Sequence, residues 1–417
     1  MAKLVIEGGG SLNGKVVVPG SKNAATPILA ACLLTQEECI IENVPEISDV
    51  AKMLELLTEL GVTVTRQGHT VRLRAAKVGL KGLEGKLVKG MRSSVLLFGP
   101  LLARLKEVWL PEPGGCIIGN RPLSAHLQGF AQLGVVVTPE GEGYRLAWLK
   151  PQGAPVVLPE FSVTATENVL MAAVLAPGTT TIELAAAEPH VQDLCQCLVA
   201  MGAKISGVGT HRLEVTGVAA LHGVTHRLIP DSIEAGTWAV LAAVSRGELV
   251  IGPVVPEHLS LVLLKLKEIG VHYELQGDQL TVRASRQLKA FKLQALPYPG
   301  FPTDLQAPFS LLATQANGTS LIHDPLYEGR LNHITELTKM GANALVADPH
   351  RVVITGPTPL YGREIRSFDL RAGATLIMAA LMAQGETVIQ EVELVDRGYE
   401  HLDERLRAVG AKLRREE

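Results

Sequence analysis

The sequence predicts a mixed α/β (α+β) protein made of six copies of one unit, three copies in each of two lobes. Two observations carry this prediction. An apolar-flanked glycine that closes a helix recurs at Leu60-Gly61-Val62, Leu133-Gly134-Val135, Met201-Gly202-Ala203, Ile269-Gly270-Val271, Met340-Gly341-Ala342 and Val409-Gly410-Ala411, at steps of 73, 68, 68, 71 and 69 residues. A glycine that ends a helix and leads at once into a strand marks a left-handed C-cap, where a side chain would clash. Around each glycine, helix, strand, helix and hairpin follow in a fixed order. A unit of about seventy residues buries little apolar surface alone, so the copies must pack on one another.

The elements follow in order. Copy one reads as helix 23–34, strand 39–42, helix 48–60 and strands 63–65 and 71–74, the last two joined by a turn at Gly68. Copy three repeats this as helix 164–175, strand 179–183, helix 189–201 and a hairpin over 203–215. Copy two alone carries the Gly-rich insertion Pro111-Glu112-Pro113-Gly114-Gly115-Cys116-Ile117-Ile118-Gly119. Copy six stops after Lys412-Leu413-Arg414, where the others add a strand, while Lys3–Glu7 and Lys15–Val18 have no helix before them. The N-terminal strands are therefore expected to complete the last copy. This gives one lobe of residues 21–229 and another of residues 1–20 plus 230–417. Chain crossings near Pro19-Gly20 and Leu228–Pro230 are the expected hinges of a ligand-closing cleft.

Composition narrows the function. The 417 residues are 47% hydrophobic, 4% aromatic and carry a formal net charge of −3, which excludes a basic nucleic-acid or anionic-membrane surface. No run approaches the ~20 apolar residues needed to span a bilayer, and the start lacks a signal-peptide pattern. The cysteines, at 32, 39, 116, 195 and 197, are odd in number and read as reduced thiols in a cytosolic protein, with no metal site among them.

Chemistry is expected where the copies differ. First-helix starts carry Ser21-Lys22-Asn23, Met91-Arg92-Ser93, Thr166-Glu167-Asn168, Asp231-Ser232, Thr303-Asp304 and Asp369-Leu370-Arg371. Asp231 and Asp369 fit ordinary capping, but a cation at the positive end of a helix needs an anion with it. Second-helix starts add Arg121, Arg330 and Arg397. Up to six cations (Lys22, Arg92, Arg121, Arg330, Arg371 and Arg397) point to a polyanionic ligand or two anionic ones. Cys116, between glycines and Arg121, is the one cysteine placed for reactivity, on a loop suited to be a lid. The three prolines of Pro297-Tyr298-Pro299-Gly300-Phe301-Pro302 present Asp304 rigidly, as a general base requires.

The segments Pro19-Gly20-Ser21-Lys22-Asn23, Pro113-Gly114-Gly115-Cys116, Gly119-Asn120-Arg121-Pro122, Phe301-Pro302-Thr303-Asp304, Asp369-Leu370-Arg371-Ala372 and Asp396-Arg397-Gly398-Tyr399-Glu400 together make the whole chain resemble the UDP-N-acetylglucosamine 1-carboxyvinyltransferase (MurA) family of enolpyruvyl transferases. The resemblance implies a two-lobed inside-out α/β barrel of six βαβαββ units. It also implies transfer of the enolpyruvyl group of phosphoenolpyruvate to the 3-hydroxyl of UDP-N-acetylglucosamine, opening peptidoglycan synthesis, with no cofactor or metal. By the family pattern Lys22, Arg121 and Arg397 hold phosphoenolpyruvate, and Asn23 and Arg92 line the same region. Asp304 takes the hydroxyl proton. Cys116 acts as general acid or in product release, and is the thiol alkylated by fosfomycin.

The same pattern places Pro122, Leu123, Ser124, Ala125, Ser162, Val163, Leu326, Arg330, Asp369 and Arg371 among the substrate-binding positions. The chain departs from the pattern at Ser124, where Asp is usual, at Leu184, where many members have Asn, at Ala187, where Arg or Lys is common, and near Glu160, where some have Lys. All four bear on the nucleotide end, where backbone groups and Pro122 packing are expected to hold the uridine. Two rivals stand beside this reading: the sister transferase acting on shikimate 3-phosphate, which lacks a Gly-Gly-Cys lid, and a non-catalytic regulator, which would have lost Cys116, Asp304 or Arg397. Oligomeric state leaves no mark in the sequence.

Overall fold

All six recurring glycines take a positive φ, from 80° at Gly134 to 110° at Gly341. The hydrogen bonding around them is the same each time. At the first, Gly61 N–H donates to Thr58 O and Val62 N–H to Leu57 O; at the last, Gly410 N–H donates to Arg407 O and Ala411 N–H to Leu406 O. This is the Schellman closure, which pairs the orphan carbonyls of a helix end and throws the chain into a strand. The computed structural model describes residues 2–80, 91–111, 122–285 and 287–416.

The chain folds as two compact units. One gathers Met1–Pro19 with Pro230–Glu417, and the other holds Gly20–Cys116 and Arg121–Ile229. Each unit has its own apolar core. The mixed α/β class predicted from the repeat is present: five four-stranded sheets and one three-stranded sheet run through the described residues.

In the unit built mostly from the C-terminal half, the helices Ser232–Val244, Gln306–Thr314 and Leu370–Met382 touch one another. Their sequences are apolar nearly all round, and almost every side chain on them is buried. A helix without a polar face belongs at a centre. The second helices of the copies are different. Ser48–Glu59, in the other unit, buries Val50, Met53, Leu54, Leu56 and Leu57 and leaves Glu55 and Thr58 to solvent, an amphipathic pattern suited to the periphery.

Strands alternate buried and exposed residues, so each sheet covers its helices with one face. The strand Lys3–Glu7 lies antiparallel between Glu386–Gln390 and Lys412–Glu416, pairing Val5 with both Val388 and Arg414. The strand Gly14–Val17 runs parallel to Glu248–Gly252. In the other unit, Thr225–Arg227 runs parallel to Glu38–Glu42 beside the hairpin of Thr63–Gln67 and Thr70–Arg74.

Two predicted elements differ in detail. The first helix of copy one is α-helical over Lys22–Ala31 and tightens into a 3₁₀ turn over Cys32–Leu34, a common way to finish a helix. The hairpin expected over 203–215 has short strands, Lys204–Ser206 and Arg212–Thr216, because Gly207 and Gly209 both take positive φ between them. Residues 112–121, which hold the copy-two insertion beyond Pro111 with Cys116 and the following Arg121, lie outside the described residues.

Candidate active site

In the unit of Met1–Pro19 and Pro230–Glu417, the first-helix starts of copies five and six and the second-helix start of copy five bring three predicted residues together. Asp304 lies in the 3₁₀ turn Thr303–Leu305, ahead of the helix Gln306–Thr314. Its Oδ1 accepts from Arg330 Nη2 at 2.8 Å and its Oδ2 from Arg371 Nε at 3.2 Å. Arg371 is only 3% exposed, and Arg330 is buried against Asp304 with the Tyr327 ring 5.2 Å from its guanidinium. A carboxylate with a guanidinium on each oxygen is held at both ends, the fixed placement that a proton acceptor requires.

Asp369 caps the helix Leu370–Met382, accepting from Arg371 N and Ala372 N at 2.8 and 2.9 Å, a contribution of about 1 kcal/mol. The cation of Arg371 thus stands at the positive end of a helix with two acids beside it, both supplied by the chain. Burial works against its charge, yet Tyr399, Asp304 and Asp231 together hold the guanidinium above the usual arginine range. Its Nη1 and Nη2 are buried with no hydrogen-bond partner among the described residues, as is Arg330 Nε. Buried donors left over after the internal pairs are made suit an anionic ligand.

Asp324, fully buried, accepts from Thr303 Oγ1 and from Leu326 N at 3.1 Å, fixing the turn that carries Asp304. Burial raises its carboxyl above the ordinary range. His333 opens the helix just after Arg330, and burial lowers it to about 4, so it is neutral beside Arg330. Arg397 ends the 3₁₀ turn Val392–Arg397, whose Asp396 is tied to Arg415. Leu326 is 37% exposed.

In the other unit Lys22 is the first residue of the helix Lys22–Ala31, and its Nζ lies 3.2 Å from Asp49 Oδ2. Asp49 is 2% exposed in the first turn of Ser48–Glu59. Here too the anion beside a helix-start cation belongs to the protein. Asn23 follows on the same turn, and Arg92 opens the 3₁₀ segment Arg92–Leu97. Pro122 is exposed and Leu123 buried; Ser124 and Ala125 begin the helix Ser124–Gln132. Ser162 caps the helix Val163–Ala173, its hydroxyl accepting from Ala165 N at 3.4 Å. Beside it, the rings of Phe161 and His211 pack edge to face at 4.8 Å. The cysteines at 32, 39, 195 and 197 are free buried thiols, and burial pushes Cys195 up to about 12.

With this arrangement in hand, comparison with known proteins decides the family. A sequence model of EPSP synthase (3-phosphoshikimate 1-carboxyvinyltransferase) matches residues 6–406. The chain belongs to the EPSP synthase family. Among members of that family it is 44% identical over 419 residues to the UDP-N-acetylglucosamine 1-carboxyvinyltransferase of Koribacter versatilis, covering all of this chain and 96% of the relative. It is 43% identical over 417 residues to UDP-N-acetylglucosamine 1-carboxyvinyltransferase 2 of Oceanobacillus iheyensis, covering all of this chain and 97% of that one. Among solved structures, the enolpyruvyl transferase NikO from Streptomyces tendae superposes with a TM-score of 0.90 at 25% identity, over 99% of this chain and 98% of that chain. The EPSP synthase of Acinetobacter baumannii gives 0.76 at 19% identity over both whole chains, and shares the fold.

Several residues that organise this site in an EPSP synthase family member escaped sequence reasoning. Asp49 and Asp324 are acids inside apolar surroundings, a pattern that marks a paired charge. Tyr399 stood inside a conspicuous motif without a role. Thr237 gave no signal at all.

Proposed function

We propose that this chain transfers the enolpyruvyl group of phosphoenolpyruvate to the 3-hydroxyl of UDP-N-acetylglucosamine, releasing phosphate. The observation that carries this reading is full-length identity of 42–44% to enzymes of that name, against 19–20% to EPSP synthases of solved structure. In this reading the sugar hydroxyl attacks the vinyl carbon bearing the phosphate while the methylene takes up a proton. Collapse of the tetrahedral adduct removes a proton from the new methyl group, expels phosphate and restores the double bond.

Asp304 is the acceptor for the hydroxyl proton. What supports this is its fixed position between Arg330 and Arg371. The unpartnered Nη atoms of Arg371 suit a carboxylate or phosphate oxygen. Lys22, Arg121 and Arg397 take the remaining negative charge of phosphoenolpyruvate, and Cys116 supplies the proton at the methylene or assists release. Pro122 to Ala125, with Ser162 and Val163, hold the nucleotide. Both substrates are charged metabolites of the cell interior, so the enzyme works in the cytoplasm at the opening of peptidoglycan synthesis. None of the helices among the described residues is long and apolar enough to cross a membrane.

The test is phosphate release from phosphoenolpyruvate. It should depend on UDP-N-acetylglucosamine and be absent with shikimate 3-phosphate as acceptor. Release with shikimate 3-phosphate alone would assign the sister reaction, and a ligand-induced melting shift without phosphate would make the chain a binding protein.

A further inference from the structure

We infer that Tyr399 is a positioning residue for Arg371 and, through Arg371, for the Asp304 carboxylate. The tie is read from geometry alone; its consequence for turnover rests on the enolpyruvyl-transfer reading above. Arg371 donates one hydrogen bond from Nε to Asp304, and both Nη atoms lie buried with no partner among the described residues. A guanidinium carries five N–H donors in a fixed plane, so one bond through Nε leaves that plane free to rock.

Tyr399 supplies the missing constraint. Its ring centroid lies 5.3 Å from the Arg371 guanidinium carbon, within cation–π range, and the tyrosine is 1% exposed. Its hydroxyl lies 3.1 Å from Thr237 Oγ1. Thr237 has one hydroxyl proton and donates it to Ile233 O at 2.8 Å. The tyrosine must therefore be the donor to Thr237, and this bond fixes the ring that lies against the buried cation.

Thr237 stands on the helix Ser232–Val244, whose start is capped by Asp231 through Ile233 N and Glu234 N, both at 2.9 Å. Glu234 on that helix is held by Trp238 Nε1 at 3.1 Å and by Arg405. The plane of Arg371, in copy six, is thus referenced to the first helix of copy four. Asp304, in copy five, takes its orientation from the result. A proton acceptor displaced by about 1 Å loses up to a hundredfold in rate, so a fixed reference matters.

Tyr399→Phe removes one oxygen and keeps the ring. We expect kcat to fall about tenfold, with KM for UDP-N-acetylglucosamine within about twofold. The acidic limb of the pH–rate profile should move upward, because a loosened cation shields Asp304 less. Thr237→Val should reproduce the effect, and the double variant should be no worse than the worse single one. Independently of turnover, arginine-selective NMR of the ligand-free protein should show slow exchange of the Arg371 Nε–H, assigned by its loss in Arg371→Lys. In Tyr399→Phe this exchange should quicken about tenfold.

Unchanged exchange in Tyr399→Phe overturns the tie. Faster exchange with kcat and the acidic limb unmoved overturns the positioning role, as does a loss of kcat matched by a fall in melting temperature with the limb in place. A wild-type protein that releases no phosphate from any acceptor defeats the functional reading instead, and the exchange measurement still decides the tie.

Discussion

Glu167 is 1% exposed on a central helix, with Oε1 unpartnered among the described residues. Burial first, and the charge of Glu188 second, raise its carboxyl well above the ordinary range. A raised carboxyl contributes stability that is complete below its unfolded value and is lost as pH rises through the folded one. Glu167→Gln should therefore melt a few degrees higher than the native chain at pH 8 and level with it near pH 4, by calorimetry at both pH values. Leu184 offers a second test. Its φ is +58° and it is 38% exposed, so it bears a left-handed conformation with little burial in return. Asn tolerates that conformation, and Leu184→Asn should raise stability by up to about 1 kcal/mol in a denaturant titration. Legibility at this scale was uneven. Cations at helix starts stood out because they oppose the helix dipole, whereas Asp49, which pairs with Lys22, and Asp324, which fixes the turn of Asp304, occupy no recurring position in the copies.

At the scale of elements, the repeating glycine was the clearest signal, because only a residue without Cβ takes positive φ freely. Gly134 isolates that cost: its φ is +80° and a Cβ there meets nothing within 4 Å. Gly134→Ala should lower stability by about 1 kcal/mol through conformation alone. Gly99 makes the contrasting case. An added Cβ would lie 2.3 Å from Asn168 O, whose own side chain accepts from Gly99 N at 2.7 Å and donates to Val95 O. Gly99→Ala should cost several times more, by forcing the helices Phe98–Leu105 and Val163–Ala173 apart. Equal losses at the two positions, measured by urea unfolding, would refute this division. Helix ends and hairpin lengths were less legible than helix identity, since 3₁₀ tightening at Cys32–Leu34 and the paired glycines 207 and 209 act over one or two residues.

Across the whole molecule, two apolar cores and six sheets follow from one unit used six times. The fold class was readable because periodicity survives divergence; contacts between distant copies, such as Tyr399 with Thr237, were not, because nothing in the local sequence announces a partner 162 residues away. The strand Lys3–Glu7 gives a test at this scale. Deleting residues 1–8 removes a strand hydrogen-bonded on both edges and takes Leu4 and Ile6, both buried, out of the core. The shortened chain should lose the cooperative unfolding of the unit containing Pro230–Glu417, while Gly20–Ile229 keeps its own transition in calorimetry. A single unchanged transition would show that this strand is dispensable.

That same strand sets the order of biosynthesis. Lys3–Glu7 leaves the ribosome long before Lys412–Glu416 and must wait for it before their sheet is whole. The stretch from Gly20 to Ile229 has every strand of its own sheets long before then. During translation the middle of the chain matures first, and the beginning stays unsatisfied until the end arrives, a window in which holding chaperones have the most to do.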